Sequence, residues 1–91
     1  MAVDKQEKRA LKAKAHALKP VVMIGQNGLN ANVIAEINVA LDHHELIKVK
    51  VAAERHDREQ FTREIITQTA AELIQSMGQM ITLYREKPEE E

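Results

Sequence analysis

Apolar and polar positions along the chain alternate between a helical rhythm and a strand-like one, and the switches mark out its elements. Asp4–Leu18 is rich in Ala, Lys, Glu and Leu and predicts a helix, with Leu11, Ala15 and Leu18 on the arc that should pack on the domain. Pro20 halts that helix and biases Lys19 towards extended backbone. The continuous apolar run Val21-Val22-Met23-Ile24 predicts a strand buried on both faces. After Gly25-Gln26-Asn27-Gly28, a second helix should open near Asn30, with Val33, Ile34, Ile37, Leu41 and His44 on one buried stripe. Leu46–Val51 then alternates strictly. Ile47, Val49 and Val51 should point inward and Lys48 and Lys50 outward, as in a half-solvated strand. Asp57-x-x-Gln60 has the form of a capping box for a third helix, whose inner face carries Phe61, Ile65, Ile66 and Ala70. Leu73–Met77 and Met80–Arg85 flank Gly78-Gln79, a pair suited to a tight hairpin. The expected order is α-β-α-β-α-β-β: one α/β domain with helices packed on a four-stranded mixed sheet.

Composition narrows this picture. A chain of 91 residues supports one core, and that core must be aliphatic, because Phe61 and Tyr84 are its only aromatics. There is no cysteine, so disulfides, thiolate metal ligands and a cysteine nucleophile are excluded. A reducing, cytoplasmic setting fits that usage. No apolar run approaches the roughly 20 residues of a membrane span, and no secretory h-region precedes the first helix. No membrane partner is expected.

The net charge of −1 is unusual for a protein that meets a polyanion, but the charge is polarised along the chain. Residues 1–28 carry six basic side chains against Asp4 and Glu7, while residues 29–91 carry seven basic against twelve acidic ones. The segment Glu86–Glu91 holds much of the excess and reads as an acidic, disordered tail following a domain of residues 1–85.

Candidate chemistry centres on Gly25-Gln26-Asn27-Gly28, between a strand and a helix start. Glycines reach positive φ and let a phosphate approach the main chain with no Cβ in the way. Exposed amides at the following helix N-terminus favour an anion. No Gly-Lys-Ser/Thr follows, which excludes a nucleotide P-loop, and the spacing is not that of a dinucleotide fold. The Gly-x-x-Gly pattern does match the loop by which KH domains clamp an RNA backbone. A simple strand-to-helix turn is the other reading of the same four residues. On the first helix, Lys5, Lys8, Arg9, Lys12, His16 and Lys19 share one arc of about 100°, provided helical geometry reaches Lys19. A basic stripe beside a phosphate-sized loop is an electrostatic track for a polyanion; taken alone it would be a solvated lysine face.

Other residues carry less. His43 and His44 are adjacent and do not face each other on a helix, and His44-Glu45 lacks the second histidine of a zinc-protease motif. The single serine, Ser76, lies in a predicted strand without a nucleophile elbow. No catalytic residue, metal site or cofactor is expected, and two aromatics are too few for a base-stacking sheet of the RRM type.

Several segments together resemble a known family: His16-Ala17-Leu18-Lys19-Pro20-Val21-Val22, then Ile24-Gly25-x-x-Gly28-Leu29, Ala40-Leu41-x-x-His44-Glu45-Leu46-Ile47-Lys48-Val49-Lys50, and Leu83-Tyr84-Arg85. They resemble the YhbY family, bacterial single-domain members of the CRM group (chloroplast RNA splicing and ribosome maturation), over about residues 5–85. The resemblance implies a fold similar to the C-terminal domain of translation initiation factor 3. It implies RNA binding through Gly25, Gln26, Asn27 and Gly28 with Lys8, Arg9, Lys12, His16 and Lys19 as phosphate contacts. It further implies a meeting with ribosomal RNA in a precursor of the large ribosomal subunit; separately, a monomer is expected. The loop departs from the family in one respect: Gln26-Asn27 is uncharged where a small or basic residue is common. A protein-interaction or translation-factor-like module, using the acidic C-terminal half, is the alternative.

Overall fold

The computed structural model describes residues 3–25 and 27–87. Its elements are α1 (Lys5–Ala15), β1 (Pro20–Ile24), α2 (Ala31–His44), β2 (Leu46–Val51), α3 (Arg55–Thr69), β3 (Glu72–Met77) and β4 (Met80–Tyr84), in the order the sequence predicts. The four strands form one mixed sheet in the order β1-β2-β4-β3. β1 and β2 are parallel, while β4 runs antiparallel to both β2 and β3. Parallel strands cannot be joined by a tight turn, and α2 supplies the crossover between β1 and β2. α2 packs on β1 and β2 and touches α3, whereas α1 lies against β2 and β3.

The sheet therefore has two different faces. Val22, Ile24, Ile47, Val49, Val51, Ile81 and Leu83 join Ile37 and Leu41 of α2 and Ile65 of α3 in the main core. Full burial of each such aliphatic side chain contributes on the order of 1.5–3 kcal/mol, so this cluster supplies most of the driving force. Phe61 packs only on its rim. The opposite face is thinly covered: Leu11 and Ala15 of α1 are buried, as is Ile74 at the bulge between Leu73 and Gln75, and all three stand outside the main cluster.

Five expectations need correction. β1 is an edge strand, and Val21 and Met23 are 50% and 64% exposed between buried Val22 and Ile24. α1 stops at Ala15, so Leu18 is left at the surface and Lys19 falls outside helical geometry. α3 starts at Arg55 with Glu54 as an N-cap that makes no side-chain bond, which puts Asp57 inside the first turn. Ala70 is not on the inner face of α3; it is the exposed C-cap in the left-handed region, φ 59°. Thr62 and Thr69 are buried in that face instead, their hydroxyls donating to the carbonyls of Arg58 and Ile65 at 2.7 Å. Finally, His44 is exposed rather than part of the α2 stripe. The Gly78-Gln79 hairpin forms as expected, with Gly78 at φ 58°. Of the expected acidic tail, Pro88–Glu91 lie outside the described residues, and the amide of Lys87 donates to Glu45 Oε2 at 2.7 Å.

Candidate nucleic-acid interface

The loop between β1 and α2 sits at one end of the sheet. The Ala52 amide donates to the Ile24 carbonyl at 2.9 Å, and the Val51 amide donates to the Gln79 carbonyl at 2.7 Å. Those bonds hold the loop, the end of β2 and the β3–β4 hairpin side by side. Within the loop the Gly28 amide donates to the Gly25 carbonyl at 3.0 Å, closing a turn. Gln26 lies outside the described residues. Asn30 caps α2, its Oδ1 accepting the Val33 amide at 3.0 Å. Helix geometry then leaves the amides of exposed Ala31 and Asn32 directed out of the first turn.

The two glycines are not equivalent. Gly28 adopts φ 69°, and a Cβ there would stand 3.3 Å from the Phe61 ring. Gly25 has no positive φ, and a Cβ there would meet nothing within 4 Å. Gly28 is needed to make the turn. Gly25 leaves open space beside the backbone, which is what an approaching phosphate needs.

Charge is distributed along the sheet axis. At the pole away from the loop, Glu7, Glu45 and Glu86 surround Tyr84; burial first, and then these carboxylates, raise its phenol above the usual value. The Val3 amide donates to Glu72 Oε2 at 2.9 Å. The basic side chains of α1 begin at this same pole, where Lys5 and Lys8 stand either side of Glu7 in the first turns, and continue along the helix towards His16. Lys5, Arg9, Lys14 and His16 of the first helix and its cap are exposed, and Lys8 and Lys12 are half-buried beside the packed seam of Leu11 and Ala15. Lys19 is exposed on the segment leading into β1. The helical arc read from the sequence is thus shortened: Lys19 leads into β1, whereas the α1 residues lie over β2 and β3.

Some residues play other parts. Arg85 is committed internally: its guanidinium donates to Asn38 Oδ1, the Thr69 carbonyl and Asp42 Oδ1, each at 2.7 Å, and to the Asn38 carbonyl at 3.2 Å. Sequence reading passed over Arg55, Arg58 and Arg63, which line a cleft of about 560 Å³ between α3 and the β3 edge. Their spacing along one side of a helix was the available signal. Two of them are engaged, Arg55 with Glu59 at 3.3 Å and Arg58 with the Ala53 carbonyl at 2.8 Å.

The model of the CRS1 / YhbY (CRM) domain matches residues 3–85. The chain belongs to the CRM family. It is 45% identical over 89 residues to a probable RNA-binding protein of Pseudomonas aeruginosa, covering 97% of this chain and 86% of that protein. An RNA-binding protein of Haemophilus influenzae is 49% identical over 87 residues, covering 94% and 86% of the two chains. The solution structure of a Staphylococcus aureus protein, described as a candidate RNA binder, superposes with a TM-score of 0.83 at 35% identity over 99% of this chain and 95% of that one. In this CRM domain the main core and the α2 crossover position the loop, while α1, whose buried side chains are Leu11 and Ala15, carries basic side chains across the opposite face.

Proposed function

We propose that this CRM domain binds RNA without catalysing a reaction, and that its target is large-subunit ribosomal RNA in a precursor particle during ribosome assembly. The observation that carries the reading is the open approach at Gly25, placed at the head of α2 and away from the acidic pole at Tyr84. A phosphate beside Gly25 meets main-chain amides and the positive end of the helix dipole. Lys8, Arg9, Lys12 and Lys19 add point charges that neutralise neighbouring phosphates, and the His16 imidazole can donate a hydrogen bond to one. The uncharged Asn27, exposed in the loop, leaves this attraction to the backbone amides and to α1. Family membership and the RNA-binding relatives support the same reading. The ribosomal target rests on the family resemblance, and the cytoplasmic setting on the absence of cysteine.

Crosslinking in cells followed by RNA sequencing tests it. The expected result is a cluster of crosslinks on large-subunit ribosomal RNA that disappears with Gly25→Val. Crosslinks spread over transcripts in proportion to their abundance, and unchanged by that variant, would overturn the target.

A further inference from the structure

The sheet face under α1 holds a feature that phosphate binding does not use. Strand register places Lys50 opposite both Met23 of β1 and Met80 of β4, and Met80 opposite Met77 of β3. Met23, Lys50, Met80 and Met77 thus form one row across all four strands, about 14 Å long at strand spacing. Met23 and Met77 are 64% and 62% exposed, because α1 covers β2 and β3 further from this end and leaves the row open. The next row back is Lys48, Thr82 and Gln75. Between the rows and the C-terminal end of α1 lies a groove of about 140 Å³ lined by His16, Lys48, Gln75, Met77, Met80 and Thr82.

Size, chemistry and place agree on one occupant. The groove has room for a single planar heterocycle and is too small for a whole nucleotide. Its floor is thioether, a soft and polarisable surface that packs well against aromatic rings. Its walls carry an amide, a hydroxyl, an ammonium and an imidazole, groups able to hydrogen-bond the edge of a base. Lys48 and Lys50 attract the polyanion to it. Met23 stands two residues before Gly25, roughly 7 Å along the strand, so a nucleotide held at the loop can reach the row with its base.

We infer that an unpaired nucleobase of the bound RNA lies on the methionine row and enters the groove, with Gln75, Thr82 and Lys48 reading its edge. This rests on the RNA-binding reading above. It assigns the sheet face a role in selecting single-stranded over fully paired RNA, because a stacked and paired base cannot reach the row. The recognition surface is built from methionine where an RRM uses aromatic rings.

The test compares a mixed-sequence single-stranded RNA 12-mer with an abasic ribose-phosphate 12-mer of equal charge. Both are titrated against the wild type, Met23→Ser/Met77→Ser and Thr82→Val. The first variant alters only exposed side chains, the second is isosteric within its strand, and each is checked for a cooperative unfolding transition. The wild type should prefer the intact strand by about tenfold, the lower range of one stacked base. Either variant should reduce that preference below about threefold, by loss of part of that contact, while keeping the affinity for the abasic strand. Equal binding of the two strands by the wild type, or full preference retained in both variants, overturns the inference. If the abasic strand still binds with strong salt dependence, backbone binding survives that failure; if neither strand binds, both readings fall.

Discussion

Gly28 rests on the ring of Phe61: a Cβ on that glycine would lie 3.3 Å from Cζ, at a residue already held at φ 69°. Gly28→Val should therefore cost stability, by about 1–3 kcal/mol for a β-branched residue in the left-handed region. Gly25→Val meets no such obstacle and should leave the unfolding midpoint nearly unchanged. Only the Gly25 variant then isolates binding from folding. Denaturant unfolding alongside RNA titration checks this. Wild-type affinity in a folded Gly25→Val protein would reduce the loop to a turn.

Arg85 offers the reverse case. Its guanidinium joins Asn38 and Asp42 of α2 to the last carbonyl of α3, at Thr69, from the end of β4. Removing it leaves partly buried acceptors without a donor, a loss of about 2–3 kcal/mol. Arg85→Met should lower the unfolding midpoint and leave RNA affinity intact at a temperature where the protein is folded. Weakened binding by that folded variant would place Arg85 on the RNA surface.

Ala70 ends α3 in the left-handed region, φ 59°, where a Cβ is strained and the residue is exposed. Glycine takes this conformation without that strain, so Ala70→Gly should stabilise by about 0.5–1 kcal/mol despite the greater freedom it gives the unfolded chain. Thermal unfolding measures it. A fall in midpoint would show that Ala70 contributes packing beyond its backbone geometry.

These residues also show which parts of the fold could be read in advance. Alternation in Leu46–Val51 was legible because the buried members Ile47, Val49 and Val51 are set by strand period alone. The short run Val21–Ile24 was not, since whether a strand is central or at an edge depends on which neighbours it finds. Asp57-x-x-Gln60 satisfied the pattern of a cap, yet Glu54 precedes it and the helix opens one turn earlier. In the site, Gly25 and Gly28 were evident as a pair but not as two different devices, because Phe61 comes from a distant helix. The methionine row was hidden for the same reason. Met77 and Met80 meet across the Gly78-Gln79 hairpin, but Met23 and Lys50 join them only through register between strands far apart in sequence.

Reversing charge on Lys12 and Lys19 should weaken RNA binding while the fold persists. Lys19 is exposed and should change stability by less than about 0.5 kcal/mol, as surface substitutions do. Lys12 is half-buried, its stem lying along the seam of Leu11 and Ala15, so its reversal carries a somewhat larger cost. Undiminished affinity would move the contact surface to the arginines of α3, where Arg55→Glu and Arg63→Glu would then be the test.

Salt dependence decides how a chain of net charge −1 holds a polyanion. Local contacts at the loop and α1 must outweigh repulsion from the acidic pole around Tyr84 and from the segment Glu86–Glu91. If they neutralise about four to six phosphates, log K should fall against log[salt] with a slope of roughly −3 to −5, at about −0.7 to −0.9 per contact. Repulsion from the tail acts at longer range and is screened sooner. Deleting Glu86–Glu91 would also remove the bond from the Lys87 amide to Glu45, so Glu89, Glu90 and Glu91 are better changed to Gln, which preserves that contact. The change should raise affinity at low salt, and the gain should vanish as the Debye length contracts from about 10 Å at 0.1 M to about 3 Å at 1 M. Because the phosphate contacts are untouched, the limiting slope at high salt should be the same for both proteins. A slope near zero in the wild type would sink the backbone clamp. A gain that persists at 1 M salt would show that the tail competes for the RNA site by direct contact.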